Sequence, residues 1–586
     1  MKFKNLSLKT RLRLKKFYID LKQTHLKDLR NLTLSNIKKI PDIVHLKNLV
    51  LFSGVLSVVI MAMFVTRFTS LGTYFIKETP AFGGIYSHGV VGSIEKINPL
   101  FVQDDAEKVA NKLVYSGLVR TVSGTEYIPD LAESWLVSED RLTYNFKLRQ
   151  DTKWQDGSQF GADDVVYTIG LIQNPDTRTP LSQIWRGVTV EKVNNFEVKF
   201  VLPNTFPEFL DVANQAILPQ HLLGSTDPKN IKVAAFNSKP IGTGPYKFVR
   251  FDQVGTQNGV IFESNKGFSL HRPYIDQVRL VLYDDSKALV KGLASRQISG
   301  TFDIPSDKMA ETKKLSNLNF TQNYLPQYTV LNFNFKNDIL ASKDIRRAMA
   351  MATNRQEIIS EGLLGLAREV SVPILPARSG FDPKAKGLDY NLAGAKEALD
   401  KAGWVPGDGG VRTKDGKSLK FKFVYINDSE NERVAGALKR QYAAIGIDLS
   451  LIPENINFIN ANYIRPRNYD MIMIGQNVGL DEDLYSFWHS SQAADPGLNL
   501  TGFSDKKVDK LLEQVRKSSD EKYRADRFKQ VQEVLIEEVP ALFLYTPLHT
   551  SALSKEIQGS KQIRISQPID MFNNIYDWFI RSKKTR

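Results

Sequence analysis

The chain's 586 residues are 42% hydrophobic, 24% charged and 10% aromatic, ample material for more than one lobe and free of the bias of disordered or fibrous proteins. Its formal charge of +14 is concentrated at one end. Met1 to Lys47 hold 13 Lys and Arg against 3 Asp, so the rest of the chain is nearly balanced, which argues against a basic nucleic-acid-binding face on the body. The absence of cysteine excludes disulfides, thiolate metal sites, a cysteine nucleophile and a lipid-modified cysteine anchor.

In chain order, residues 1–47 predict a basic cytoplasmic tail. Leu8, Leu12, Tyr18 and Ile19 fall broadly on one side of a helix, which fits either an amphipathic segment on anionic headgroups or a solvated tail. Leu49 to Thr66 reads LVLFSGVLSVVIMAMFVT, 18 residues without a charge, near the lower limit for crossing a bilayer at about 1.5 Å per residue. The Lys and Arg excess upstream places the N-terminus in the cytoplasm and the bulk of the chain outside. Arg67 and Phe68 follow with no A-x-A pattern, which favours an uncleaved signal anchor over a cleaved signal peptide. Residues 48–76 are therefore expected to form anchor and linker, with 49–66 in the lipid bilayer.

After a Pro/Gly break at Pro80 to Gly84, strands and helices alternate with modest loops, the pattern of a mixed α/β protein. Tyr144, Phe146 and Leu148 share one face of a predicted strand, as do Phe196, Val198, Phe200 and Leu202, and again Leu419, Phe421, Phe423 and Tyr425. In Gln327 to Phe335, Leu331, Phe333 and Phe335 alternate with Val330, Asn332 and Asn334, so one face is expected to pack while the other presents polar groups. Asn391 begins a helix with Leu392, Ala395, Leu399 and Ala402 on one stripe, ended by Gly403. Ser504 is expected to cap a helix carrying Val508, Leu511, Leu512 and Val515. Pro540 closes the next helix before the strand-like ALFLYT.

The familiar catalytic signatures fail in turn. There is no H-E-x-x-H, no G-x-S-x-G and no G-x-x-x-x-G-K-[ST], and the seven histidines are scattered without metal-ligand spacing. Ile241-Gly242-Thr243-Gly244-Pro245 imitates a phosphate loop but lacks its lysine; it reads as a turn whose glycines supply unusual backbone angles. Asp481-Glu482-Asp483 lacks the alternating ligands and glycine of a calcium loop. No cofactor and no catalytic residue is expected.

Val114 to Thr168 contains VYSGLV and then PDLAESWLVSEDRLTYNFKLRQDTKWQDGSQFGADDVVYT. Pro240 to Tyr246, Arg272-Pro273-Tyr274-Ile275-Asp276, Ile345-Arg346-Arg347-Ala348, Ala402-Gly403-Trp404, Asn468-Tyr469-Asp470 and Gly502-Phe503-Ser504 follow. On these stretches, taken in order from about Val90 to Trp578, the body resembles the family-5 extracellular solute-binding proteins, the receptors for dipeptides, oligopeptides and nickel complexes in ABC import. In WQDG, Asp156-Gly157 reads as a turn and Ala162 to Val165 as a helix start with acids near the positive dipole end, so the signature is expected to shape a lobe, not to touch ligand.

The resemblance implies a bilobed α/β fold of the periplasmic-binding-protein kind (type II, large peptide-binding class). It implies a first lobe at 77–326 with an extra subdomain near 115–240, a second lobe at 327–544 and a return to the first at 545–586. The crossings are expected at Gln327 to Phe335 and Leu542 to Thr550. Solute is expected between Gly92, Ser93 and Ile94 near the Asn98-Pro99 turn, Tyr328 on the crossing strand, and the loop Gly475 to Gln492. In that loop Gln476, Asp481, Asp483, Tyr485 and Trp488 are the candidates, an aspartate holding the ammonium end of a peptide and the aromatic rings walling the pocket. A helix-cap or loop role for Asp481 and core packing for Trp488 are the plain alternatives.

The expected function is an extracytoplasmic receptor of an ABC importer, delivering short peptides to a membrane permease served by separate ATPase subunits. The alternatives are an anchored peptide sensor signalling through the basic tail, or a receptor for a nickel complex or oligosaccharide, because a fold does not choose its solute.

Overall fold

The computed structural model describes residues 51–61, 63 and 77–585, apart from 103, 124–125, 206–208, 377, 379, 480–483, 519 and 562–565. Residues 51–61 are helical and exposed. Among the described residues no helix is long and apolar enough to cross a membrane. The rest of the expected span 49–66, and the basic segment 1–47, lie outside the described residues, so the expected transmembrane helix stands on the sequence alone.

From residue 80 onward the first lobe opens with β1 (Ile85–Val91) and helix α1 (Asp105–Val114). An inserted antiparallel sheet follows: β2 (Ala132–Val137), β3 (Thr143–Leu148), helix α2 (Ala162–Gln173), β4 (Thr189–Asn194) and β5 (Glu197–Val201), in the order β2-β3-β5-β4. Tyr144, Phe146 and Leu148 are buried on its inner face with Val198 and Phe200, as their period of two requires. The strands β6 (Tyr246–Val254), β7 (Gln257–Ser264), β8 (Gln277–Tyr283) and β9 (Gly300–Thr301) complete the main sheet of this lobe around β1.

Next, β10 (Leu318–Tyr324) leads through Leu325-Pro326 into β11 (Gln327–Phe333), the first strand of the second lobe. There follow α3 (Lys343–Ala352), β12 (Lys420–Ile426), α4 (Ser429–Ala443), β13 (Asp448–Glu454), β14 (Met471–Asn477), α5 (Lys506–Lys517) and α6 (Glu521–Glu538). The chain returns along β15 (Ala541–Ser554). One continuous sheet results, in the order β13-β12-β14-β11-β15-β9-β1-β8-β7-β6, with β10 also on β15. Its fourteen-residue strand β15 pairs with β11 through Ala541 to Tyr545 and with β10 through Leu548 to Ser554, so both lobes share it.

Two expectations change. The face of β11 expected to present polar groups is covered: Leu331 and Phe333 join one core with Phe421 and Phe423, while Tyr328 and Val330 join another with Trp488 and Phe543. A central strand with helices on both sides has no wet face; Asn332 and Asn334 are buried too, donating to the Ile472 and Tyr469 carbonyls at 3.5 and 2.7 Å. Helix α5 is capped not by Ser504 but by Asp505, whose carboxylate accepts from the Lys507 and Val508 amides; the ionised side chain is the stronger acceptor.

The 154–165 signature does shape the lobe. Trp154 Nε1 donates to Asp164 at 3.2 Å, and Asp164 also accepts from the Gly161 and Gln220 amides. Gln155 donates to the Tyr246 carbonyl at 2.8 Å and accepts from the Gly242 amide at 3.0 Å, pinning the 241–246 turn. Neither Gly242 nor Gly244 has a positive φ. Their reason is close approach: an added Cβ would sit 2.0 Å from the Val114 carbonyl oxygen and 2.6 Å from the Val114 carbonyl carbon. The turn is thereby clamped to the end of α1.

Arg346, 2% exposed, explains the Ile345-Arg346-Arg347-Ala348 landmark. Its guanidinium donates to the Val539, Leu340, Ala341 and Glu538 carbonyls at 2.7–2.9 Å and lies over the Phe335 ring. A lysine ammonium has no planar fork to reach four carbonyls. Arg346→Lys should therefore destabilise the protein by about 3 kcal/mol, read as a lower urea midpoint at unchanged m.

Candidate ligand-binding cleft

The first lobe contributes the carboxyl end of β1. Gly92 has φ +139°, and an added Cβ would lie 3.1 Å from Asp104 Oδ2, so both backbone angle and space demand glycine. Ser93 is exposed and Ile94 is buried in the core. Asn98 fixes the turn before α1, its carboxamide bridging Asn237 and the Leu100 amide, each at 2.9 Å. Asp104 then caps α1 by accepting from the Glu107 amide.

One side of α1 carries Lys108, Asn111, Lys112 and then Tyr115, the i, i+3, i+4, i+7 spacing of a single helix face. That face borders a cavity of about 560 Å³. Leu181, Ile184 and Trp185 of the inserted subdomain form an apolar wall, and Ile569, Asp570, Phe572, Asn573 and Tyr576 of the C-terminal 3-10 segment close another side. Its size lies in the range of cavities that enclose small ligands.

Charge in the cavity is balanced but incompletely bonded. Arg120 lies over the Tyr576 ring at 4.5 Å and donates to the Asn573 carbonyl at 3.3 Å. Burial pushes the Asp130 carboxyl up to about 6, against the pull of Arg120 and Lys112. Burial lowers the Lys112 ammonium, while Asp570 and Asp130 pull it back up. Asp570 itself is occupied, one oxygen accepting from the Ser566 amide and hydroxyl and from the Gln567 amide at 2.7–3.0 Å. Among the described residues, five buried polar atoms of this lining have no partner: Asn111 Oδ1, Tyr115 OH, Arg120 Nε, Asp130 Oδ1 and Asn573 Oδ1. Each such group costs about 1–3 kcal/mol unless a ligand or water meets it.

On the second lobe, Tyr328 and Gln476 face each other across β11 and β14. Tyr328 is fully buried, edge-on to Phe543 at 5.1 Å; Gln476 is 5% exposed and its Oε1 has no partner among the described residues. Trp488 is 1% exposed in the same core, 5.9 Å from Phe543, with Nε1 lacking an acceptor among the described residues. Tyr485 stacks on His489 at 4.1 Å and carries the Arg516 guanidinium 3.7 Å over its other side. Asp481 and Asp483 lie outside the described residues. Of the expected residues that are described, Gly92, Ser93, Ile94, Tyr328, Gln476, Tyr485 and Trp488 do not line the 560 Å³ cavity, whereas Pro99 of the expected Asn98-Pro99 turn does.

Two hydrogen bonds nevertheless join the second lobe to the first, one of them at the edge of the cavity. Asn477, at the end of β14, donates to the Ser566 carbonyl at 3.5 Å, beside cavity-lining Gln567, and Thr205 of the subdomain donates to the Arg516 carbonyl at 2.9 Å. The loop 475–492 thus leaves β14 beside the cavity. The residues missed from sequence, Lys112, Tyr115, Arg120, Asp130, Ile184 and Asn573 among them, converge from segments up to 461 positions apart. The one local signal was the polar pair Asn111-Lys112 set into the otherwise apolar end of α1.

The cavity is lined by first-lobe residues, and the two lobes share crossing strands, the hinged architecture of proteins that close around a ligand. The sequence profile of the bacterial extracellular solute-binding proteins, family 5, matches residues 126–497. The chain belongs to this family. It is 29% identical over 518 residues to the oligopeptide-binding protein AppA of Bacillus subtilis, covering 86% of this chain and 92% of that one. It is 24% identical to the dipeptide-binding protein of Escherichia coli, covering 80% and 90%. Among solved structures, AppA from Bacillus subtilis in complex with a nonapeptide superposes with a TM-score of 0.76 at 28% identity, over 86% of this chain and all of that one. NikZ from Campylobacter jejuni in complex with Ni(L-His) superposes with a TM-score of 0.74, also at 28% identity, over 84% and 99%.

Because the Asp130 carboxyl is raised from the ordinary value near 3.9 to about 6, the folded state holds its proton more tightly than the unfolded chain. Its stabilising contribution is complete below about pH 3.9 and is lost as pH rises through about 6. In Asp130→Asn that loss disappears. Relative to the variant, the wild type should lose about 2 kcal/mol between pH 4 and pH 7, measured by urea unfolding at each pH.

Proposed function

We propose that this solute-binding protein captures short peptides between its lobes and presents them to a membrane permease of an ABC importer. The observation that carries the reading is the mixed lining of the cavity: apolar Leu181, Ile184 and Ile569 face unpartnered donors on Tyr115 and Arg120 and unpartnered acceptors on Asn111, Asp130 and Asn573. A peptide brings that combination, with amide N–H and C=O groups on one backbone and side chains that fill apolar space. The peptide complex of AppA, similar over nearly the whole body, supports the same reading. On the second lobe, Gln476 and Trp488 Nε1 offer further polar contacts, and an aspartate of the 480–483 loop is the proposed partner for a peptide ammonium. Attachment to the membrane through residues 49–66 is part of the proposal and rests on hydrophobic length and upstream charge.

The direct test is mass spectrometry of what the purified protein retains. Short peptides are the expected finding; a uniform non-peptide solute would overturn the peptide reading while leaving solute capture in place. Ile184 keeps 49% of its exposure on the cavity wall, so its truncation leaves the core intact. Ile184→Ala should weaken binding of the retained peptides about five- to thirtyfold, the loss of roughly 1–2 kcal/mol of apolar contact, measured by isothermal titration.

A further inference from the structure

Beyond the cavity, a second set of groups meets at the seam between the lobes, where β1 and β9 end on one side and β12 ends on the other. From the second lobe, α4 begins at Asp428, whose carboxylate caps it by accepting from the Asn431 amide. Two residues on, Glu430 Oε1 accepts from the Ser306 amide of the first lobe at 2.8 Å. Arg433, held by its Nε donating to the Gly362 carbonyl at 2.9 Å, reaches Ser306 Oγ at 3.3 Å. Ser306 belongs to the first lobe, since nearby Ile304 bonds to Thr550 of β15 and packs with Val281 and Tyr283. Three residues before Ser306, Asp303 faces His549 Nδ1 of β15 at 3.5 Å.

We infer that Glu430, Arg433 and Ser306 form a clasp that holds the lobes closed, and that Asp303, set against Asp428 and Glu430 across the seam, makes the clasp proton-sensitive, closing as pH falls. Closure brings three carboxylates of opposite lobes together around one hydrogen-bonded contact, and like charges so placed repel unless one takes a proton. Burial, with Asp303 and Asp428 nearby, raises the Glu430 carboxyl, while its bonds to Ser306 pull the other way. The surrounding protein and the charges of Asp105 and Asp428 raise Asp303, opposed by His549. The Asp303 side chain keeps 62% of its exposure, so the neighbouring acids, not loss of water, carry the argument for it. Other groups around the seam are Asp105 at the start of α1, the Asp307–Lys308 pair at 2.9 Å beside Ser306, and Tyr545 of β15, which feels both Glu430 and Asp428. The closed state binds protons more tightly than the open state, so closure gains as pH falls through the carboxylate range.

The clasp rests on the two-lobed fold and is independent of which solute is bound. Its test therefore uses no solute. The chain has no cysteine of its own, so Lys287→Cys and Lys439→Cys, exposed positions on opposite lobes, give a clean spin-label pair on the full-length protein. Electron-electron distance measurement should show the ratio of short to long distances rising as pH falls from 8 to 4, approaching about tenfold for one unit of differential affinity for a proton. With Asp303→Asn added, the ratio at pH 8 should rise and the pH response should shrink at least threefold. With Arg433→Met added, the ratio of short to long distances should fall at every pH while the response to pH remains. A wild-type ratio flat across this range, or a response unchanged by Asp303→Asn, would sink the inference and leave peptide capture untouched.

Discussion

Everything in this molecule hangs on one strand, Ala541–Ser554, whose first part is laddered to the second lobe and whose last part is laddered to the first. The strands β10 and β11 run antiparallel to it and carry the chain the other way. At the changeover β11 gives way to β10, and the short strand Ala367–Glu369 pairs with Tyr545 to Pro547. Pro326 separates β10 from β11, Pro547 removes an amide donor from β15, and the register slips between Thr329 and Val330. A proline cannot join a ladder, and a register shift adds twist. The lobes are thus covalently and laterally continuous, joined where partner strands change over and the register slips, a place for a hinge.

Against that continuity the contacts across the cleft are sparse and polar. Asn477 to Ser566, Thr205 to Arg516, and Glu430 with Arg433 to Ser306 are side-chain or charge-assisted bonds at the rims, each worth on the order of 1 kcal/mol after exchange with water. The large apolar clusters stay within single lobes. Opening therefore leaves the three largest cores packed, and the polar bonds it breaks are ones that water replaces. Ligand shifts such an equilibrium only by the difference in what it touches in the two states, and a lining with unpartnered donors and acceptors supplies that difference.

Much of the fold was legible because it is local. The alternation of Tyr144, Phe146 and Leu148, and of Phe421, Phe423 and Tyr425, marks buried strand faces that the structure realises, and Gly403 ends its helix at φ +82°. The polar face expected on β11 failed for a non-local reason: Asn332 and Asn334 look outward-facing until β14 and the 467–501 segment cover them. Lys112, Arg120 and Asp130 escaped notice for the same reason. What makes them a site is the approach of Asp570, Asn573 and Tyr576 from the far end of the chain, a fact of topology with no trace in spacing. The family was easier to read than the cavity because its landmarks are continuous segments.

That difference has a physical basis. Gln155 is committed to the Gly242 and Tyr246 backbones, Asp164 to the Gly161 and Gln220 amides, and Trp154 Nε1 to Asp164, and Gly242 and Gly244 have no room for a side chain. Residues so engaged hold α1 against the 241–246 turn and have nothing left with which to meet a solute. The α1 face is the reverse: Asn111 and Tyr115 are placed by that clamp but keep polar atoms uncommitted. Lys112 and Asn111 lie on the cavity and take no part in the clamp that positions them. The clamp and the uncommitted groups therefore reside in different segments that meet at the end of α1, and a sequence read for its strongest motif leads to the clamp first.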